Sequence, residues 1–136
     1  MKAFIDANFL IYLNTLRDRY ALSLFENFFE ELLAEHVLFT DILVLDEVLY
    51  VSRSKYRVPY PITIKLLNKL IPKYISLTPL TLKEYVKAIE VIERYDLKPS
   101  DAIHAATCIV NNIKYIVSED QEFDKVEGIE RLWIRT

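Results

Sequence analysis

Short apolar runs alternate along this chain with longer stretches of helical periodicity, and that alternation constrains the fold more than any other feature. Lys2 to Ile5 reads as a buried strand, and a helical pattern begins near Phe9, with Asp6 or Asn8 placed to cap it. A second helix is expected from about Tyr20 to Glu35. Its apolar face carries Leu22, Phe25, Phe29, Leu32 and Leu33, and Leu24 and Phe28 widen the stripe. His36 to Thr40 reads as a second strand, and Asp41 can cap a helix running to about Arg53. Pro61 sits at a helix start, followed at helical spacing by Leu66, Leu67, Leu70 and Ile71. Tyr74 to Leu77 is a third strand, stopped by Thr78-Pro79. Tyr85, Ala88, Ile89 and Ile92 mark another helix, and Pro99-Ser100-Asp101 opens the next. Lys114 to Ser118 reads as a fourth strand and Arg131 to Arg135 as a fifth. Strands separated by helices pair in parallel, because each helix carries the chain back to the start of the next strand. The expectation is one α/β domain over residues 1–136, with a central parallel sheet of about five strands covered by helices on both faces.

Residue usage removes several kinds of chemistry. Gly128 is the one glycine, whereas a Walker A loop, a dinucleotide fingerprint and a G-x-S-x-G elbow each need at least two. The single cysteine, Cys108, excludes an internal disulfide and a Cys-pair zinc site, and reads as a small core residue. His36 and His104 lie too far apart for H-E-x-x-H. The longest run without Asp, Glu, Lys or Arg is Ala102 to Ile113, short of the ~18 residues a membrane span needs. Asp6 interrupts the first apolar run, so no secretory signal is read there, and a cytoplasmic location away from membranes is expected. What remains open is mostly carboxylate chemistry.

The charges fall into blocks. Residues 1–47 carry net −6, residues 48–83 carry seven cations and no acid, and residues 84–136 carry net −4. The middle block places Arg53, Lys55 and Arg57 among Tyr50, Tyr56 and Tyr60, a pattern that suits a polyanion with stackable bases. Arg53, Lys55, Arg57 and Tyr56 are therefore candidate nucleic-acid contacts. Lys65, Lys69 and Lys73 recur every four residues and are equally read as a solvated helix face.

Four carboxylates stand out by position. Asp6 follows the first strand and Asp120 follows the fourth, where ligands of an open parallel sheet bind. Asp101 lies in the first turn of a helix fed from the same edge, and Glu47 sits among apolar neighbours in the helix after the second strand. Singly, each has a plain structural reading as a cap, a dipole partner, a turn residue or a surface residue. Crowded together they repel unless protonated or bridged by cations, and an all-oxygen site suits Mg²⁺ or Mn²⁺. Such ions commonly serve phosphodiester hydrolysis.

At these residues the chain resembles a family. Phe4-Ile5-Asp6-Ala7-Asn8 is similar to the opening of a PIN domain, and Leu45-Asp46-Glu47-Val48-Leu49-Tyr50 to its glutamate helix. Pro99-Ser100-Asp101-Ala102-Ile103-His104-Ala105-Ala106-Thr107 resembles its third acidic motif, and Val117-Ser118-Glu119-Asp120-Gln121-Glu122-Phe123 its last. The four motifs occur in order over nearly the whole chain, and a protein of this length most resembles the VapC toxins of toxin–antitoxin pairs. The resemblance implies a Mg²⁺- or Mn²⁺-dependent endoribonuclease with Asp6, Glu47, Asp101 and Asp120 as catalytic and metal-binding acids. Asn8, Ser118 and Glu122 form a second tier. Ser118 stands where threonine is common, and Glu122 where a second aspartate is common. His104, three residues after Asp101, reads either as a packed helix histidine or as a phosphate contact.

The expected partners are an RNA substrate, an antitoxin and a second copy of the chain. The broad aromatic stripe of the Tyr20–Glu35 helix is expected at one of the two protein interfaces, unless its own core covers it. The alternative function is a non-catalytic RNA-binding PIN domain acting in RNA processing or assembly. A metal-dependent phosphatase or an interaction module built on the same cleft is a third reading, disfavoured by the basic block.

Overall fold

The computed structural model describes residues 1–135; Thr136, the last residue of the expected domain, lies outside them. Five strands form one sheet: β1 (Lys2–Ile5), β2 (Val37–Thr40), β3 (Ile75–Leu77), β4 (Tyr115–Val117) and β5 (Glu130–Leu132). The strand order is β3-β2-β1-β4-β5, and every neighbouring pair is parallel. Six helices connect them: α1 (Ala7–Thr15), α2 (Arg19–Glu35), α3 (Ile42–Ser54), α4 (Tyr60–Leu70), α5 (Leu82–Tyr95) and α6 (Pro99–Val110). A 3₁₀ turn, Gln121–Lys125, follows β4.

Local chemistry sets most boundaries. Asp6, Asp18, Asp41 and Thr81 each accept a backbone N–H at the start of a helix. Prolines open α4 and α6, where a missing N–H costs nothing. β1 is the centre of the core: Ala3, Phe4 and Ile5 have no exposed surface, so both faces of the strand are covered. Phe4 meets His104 of α6, whereas Phe9 of α1 meets Phe25, Phe28 and Phe29 of α2. The strand order reverses between β1 and β4, which leaves a crevice beyond their carboxyl ends.

One expectation changes in detail. The fifth strand is Glu130–Leu132, not Arg131–Arg135. Its partner β4 ends at Val117, so the ladder stops and Trp133 packs among Phe9, Tyr12, Phe25 and Phe28 instead. The aromatic stripe of α2 is half-buried in that same cluster, and Leu24 and Phe28 also line an open cleft with Trp133, so part of the stripe stays accessible. Larger exposed apolar groups lie on α5, where Leu82, Tyr85 and Val86 are each more than half exposed. Among the described residues no helix is long and apolar enough to cross a membrane.

Candidate functional site

The crevice beyond β1 and β4 is organised around Asp6. Its backbone N–H donates to Val117 O at 3.0 Å, so the residue stays fixed to β4 one position past the end of β1. One carboxylate oxygen, Oδ1, accepts the Ala7 N–H at 2.8 Å. The other, Oδ2, accepts the Ser118 hydroxyl at 2.7 Å. Ser118 Oγ in turn accepts the Asp120 N–H at 3.0 Å and an Asn8 amide N–H at 3.4 Å, and Asn8 Oδ1 accepts the Glu119 N–H at 3.3 Å. The Asp6–Ser118–Asp120 segment is thus one hydrogen-bonded unit, with Ser118 fully buried at its centre. Arg131 braces it from β5, donating to Ser118 O at 3.1 Å while its Nε donates to Asp124 Oδ1 at 3.0 Å.

Asp101 and Glu47 approach from α6 and α3. Asp101, half-buried in the first turn of α6, has its pKa pushed up to about 6, first by burial and then by the negative charges of Asp6 and Asp120. Glu47 is raised above the ordinary carboxylate range by burial and by Asp6, although its residue surface is largely open to solvent. Asp6 thus raises both, and Asp101 also feels Asp120, so acids from four separate segments share one electrostatic neighbourhood. Glu122 does not join them: its side chain accepts from Lys125 at 2.9 Å on the solvent side.

His104 lies beneath Asp6, almost wholly buried, with Nε2 3.8 Å from Asp6 Oδ1 and Nδ1 3.5 Å from Asp41 Oδ2. At that distance the Nδ1 contact is a long one, and among the described residues neither of its atoms has a hydrogen-bond partner. Burial pulls the imidazole pKa down. Contact with Asp41 and the charges of Asp6, Asp41 and Asp101 outweigh it, and the net direction is up. The packed-histidine reading therefore holds for its burial but leaves out its acidic partners. Sequence reasoning treated Asp41 only as a helix cap. It is that, accepting the Val44 N–H at 2.9 Å, but it is also a fully buried acid. Its position directly after β2, on the same sheet edge as Asp6, was the available signal.

The basic candidates lie elsewhere. Arg53 closes α3, Lys55 caps it, and Tyr56 and Arg57 form the turn to α4. Lys55 Nζ lies 5.4 Å from the Tyr56 ring centre. On the crevice side, the Tyr12 hydroxyl donates to Glu119 Oε1 at 2.8 Å, and its ring packs against Phe25 and Trp133.

Among the described residues no three Asp, Glu, His or Cys side chains converge closely enough to form a closed metal cage. The donor set nevertheless fits a hydrated, hard divalent ion. Such an ion takes one or two carboxylates directly, reaches others through its waters, and offsets the burial and the repulsion that raise Asp101 and Glu47.

Residues 3–129 match the family model described as PIN domain. No curated protein matches the chain. Among solved structures, it is similar to VapBC2 from Rickettsia felis bound to a promoter DNA fragment, at 19% identity and a TM-score of 0.74, covering 99% of this chain and 100% of that one. It is similar to VapC20 of Mycobacterium tuberculosis, a sarcin–ricin loop cleaving toxin, at 19% identity and a TM-score of 0.71, covering 90% and 93%. A toxin–antitoxin complex from Klebsiella pneumoniae matches at 18% identity and a TM-score of 0.71, covering 95% and 96%.

Proposed function

The chain belongs to the PIN domain family, and from that premise we propose that it is a metal-dependent endoribonuclease, the toxin of a toxin–antitoxin pair. The observation that carries this reading is the gathering of like charges at the switch point: Asp6 raises both Glu47 and Asp101, and Asp101 also feels Asp120. Repelling carboxylates in a partly buried crevice are relieved by a proton or by a cation, and a divalent cation is the partner that serves phosphodiester hydrolysis.

Asp6, Asp101, Asp120 and Glu47 would hold Mg²⁺ or Mn²⁺. The bound ion would activate a water, orient the phosphate and offset charge on the leaving oxygen. The chain's own contribution is to hold these acids still. Ala7 N–H and the Ser118 hydroxyl occupy both Asp6 oxygens and fix the carboxylate plane. Ser118 ties Asp120 to that plane through the Asp120 N–H, and Asn8 closes the loop above it. Asn8 and Ser118 are positioning residues in this scheme, and Glu122, turned to Lys125, acts outside it. Arg53, Lys55, Arg57 and Tyr56 supply the grip on the RNA strand.

The likeness to chains solved in toxin–antitoxin complexes supports an antitoxin partner. The exposed Leu82, Tyr85 and Val86 on α5 support a protein contact there, and a second copy is the proposed occupant.

The deciding assay is cleavage of single-stranded RNA with Mn²⁺ and with chelator, run on the parent and on Asp101→Asn. Metal-dependent cleavage lost in the variant is expected. RNA binding without cleavage in either protein would favour a non-catalytic RNA-binding PIN domain.

A further inference from the structure

Between the end of α3 and the head of α4 lies a second charged feature, separate from the acidic crevice. Arg53, Arg57, Pro59, Tyr60 and Pro61 line an open cleft of about 400 Å³, within the ~300–1,000 Å³ of small-ligand sites. Among the described residues no carboxylate lines it, and the sequence supplies no Asp or Glu from residue 48 to residue 83. The Arg53 guanidinium rests over the Tyr60 ring, 4.4 Å from its centre, which holds its donor fork in place.

The cleft has a rigid base. The Asn14 amide of α1 donates to Ser52 Oγ at 2.9 Å and to Thr63 Oγ1 at 2.7 Å, and both hydroxyl residues are fully buried. These bonds fasten α3 to α4 on either side of the turn. Within the turn, Arg57 N–H donates to Arg53 O and Val58 N–H to Ser52 O, a helix-ending motif that puts Arg57 at φ +60°. Glycine is the unstrained choice at that position, so the arginine there works against its backbone.

We propose that this cleft binds a phosphate and the adjoining base of single-stranded RNA, as a subsite distinct from the acidic crevice. The inference rests on the reading of RNA as the substrate and adds where a second part of the strand is held. Two guanidinium forks with no competing carboxylate suit a phosphodiester, and the Tyr60 and Arg53 planes suit a base.

The test is anisotropy with a fluorescent single-stranded RNA in chelator, which prevents cleavage, across a salt series. Arg57→Gly should melt at or above the parent, because glycine relieves the backbone. It should bind RNA about tenfold more weakly, with a log–log salt slope shallower by about 0.7. Arg53→Gln should weaken binding in the same way without touching the strained residue. Parent-like affinity and slope in both variants would overturn the subsite while leaving RNA as the substrate. Absence of RNA binding by the parent would overturn both readings. Tighter binding of a poly-glutamate peptide than of RNA would reassign the cleft to an acidic protein.

Discussion

The acidic crevice and the basic turn are both charged, and they are assembled in opposite ways. The crevice draws Asp6, Glu47, Asp101 and Asp120 from four separate segments, and the fold forces like charges together. The turn draws Arg53, Lys55 and Arg57 from five consecutive residues, all exposed, with Arg53 and Lys55 set over tyrosine rings. Repulsion between exposed cations is screened by water and salt, whereas partly buried carboxylates lack that relief. The difference separates a site whose chemistry depends on tertiary structure from one that depends mainly on composition and a helix end.

If the crevice works as a unit, its largest response is catalytic. Asp101→Asn should lower Mn²⁺-dependent cleavage by on the order of a thousandfold, about 4 kcal/mol of barrier. Adding Asp6→Asn should cost little more, because the acids act together. Parent-like turnover in a folded Asp101→Asn protein would remove that residue from the site.

A smaller effect falls beneath the crevice. His104→Phe leaves the buried Asp41 without the imidazole that faces it at 3.5 Å. Urea melts at pH 7 should then show a loss of about 3 kcal/mol. Asp41→Asn, which removes the charge but can keep the cap to the Val44 N–H, should recover part of it in the same background, and a loss under about 1 kcal/mol in His104→Phe would show that the contact contributes little to stability.

Metal and pH sharpen the contrast further. Asp101 titrates near 6 in the fold against an ordinary 3.8, so the folded state binds its proton more tightly than the unfolded chain does. That contribution to stability is full below the unfolded pKa and is lost as pH rises through the folded one. In chelator at pH 7.5, Asp101→Asn should therefore melt at or above the parent, and the difference should vanish near pH 3.5. Mn²⁺ at a hundredfold excess over its Kd should stabilise the parent by about 2.7 kcal/mol and the variant by less. Equal shifts in both proteins would place Asp101 outside the metal site.

The basic turn should respond least in stability. Neutralising Arg53, Lys55 and Arg57 together should leave the melting temperature within a few degrees and flatten the salt dependence of RNA binding by about 2 in slope. An unchanged slope would assign these side chains to solvation alone.

Much of this was legible in the residues themselves. Lys2–Ile5 and Lys114–Ser118 are short apolar runs, and they supply β1 and its neighbour β4, the latter over Tyr115–Val117. Asp6, Asp41 and the prolines of α4 and α6 announced helix starts, because caps act within one turn and need no distant partner. The acidic motifs were readable as positions after strands and at helix starts. The role of Asp41 was not, since a cap and a buried ion partner look alike until α6 supplies His104. The breadth of the α2 stripe was ambiguous for the same reason: its partners, Phe9 and Trp133, are distant in sequence.

Sequence alone determined the α/β alternation, the helix ends, the acid-free block and the order of the four acidic segments. These are local properties, set by backbone preference, hydrophobic period and side-chain type within a few residues. Tertiary structure decided that β1 lies between β2 and β4, and with it that Asp6 and Asp120 flank one crevice. It also decided that His104 stands between Asp6 and Asp41, and that Asp101 is crowded enough for its carboxyl to be raised to about 6. Desolvation and charge–charge coupling depend on distances across the core, and strand order sets those distances.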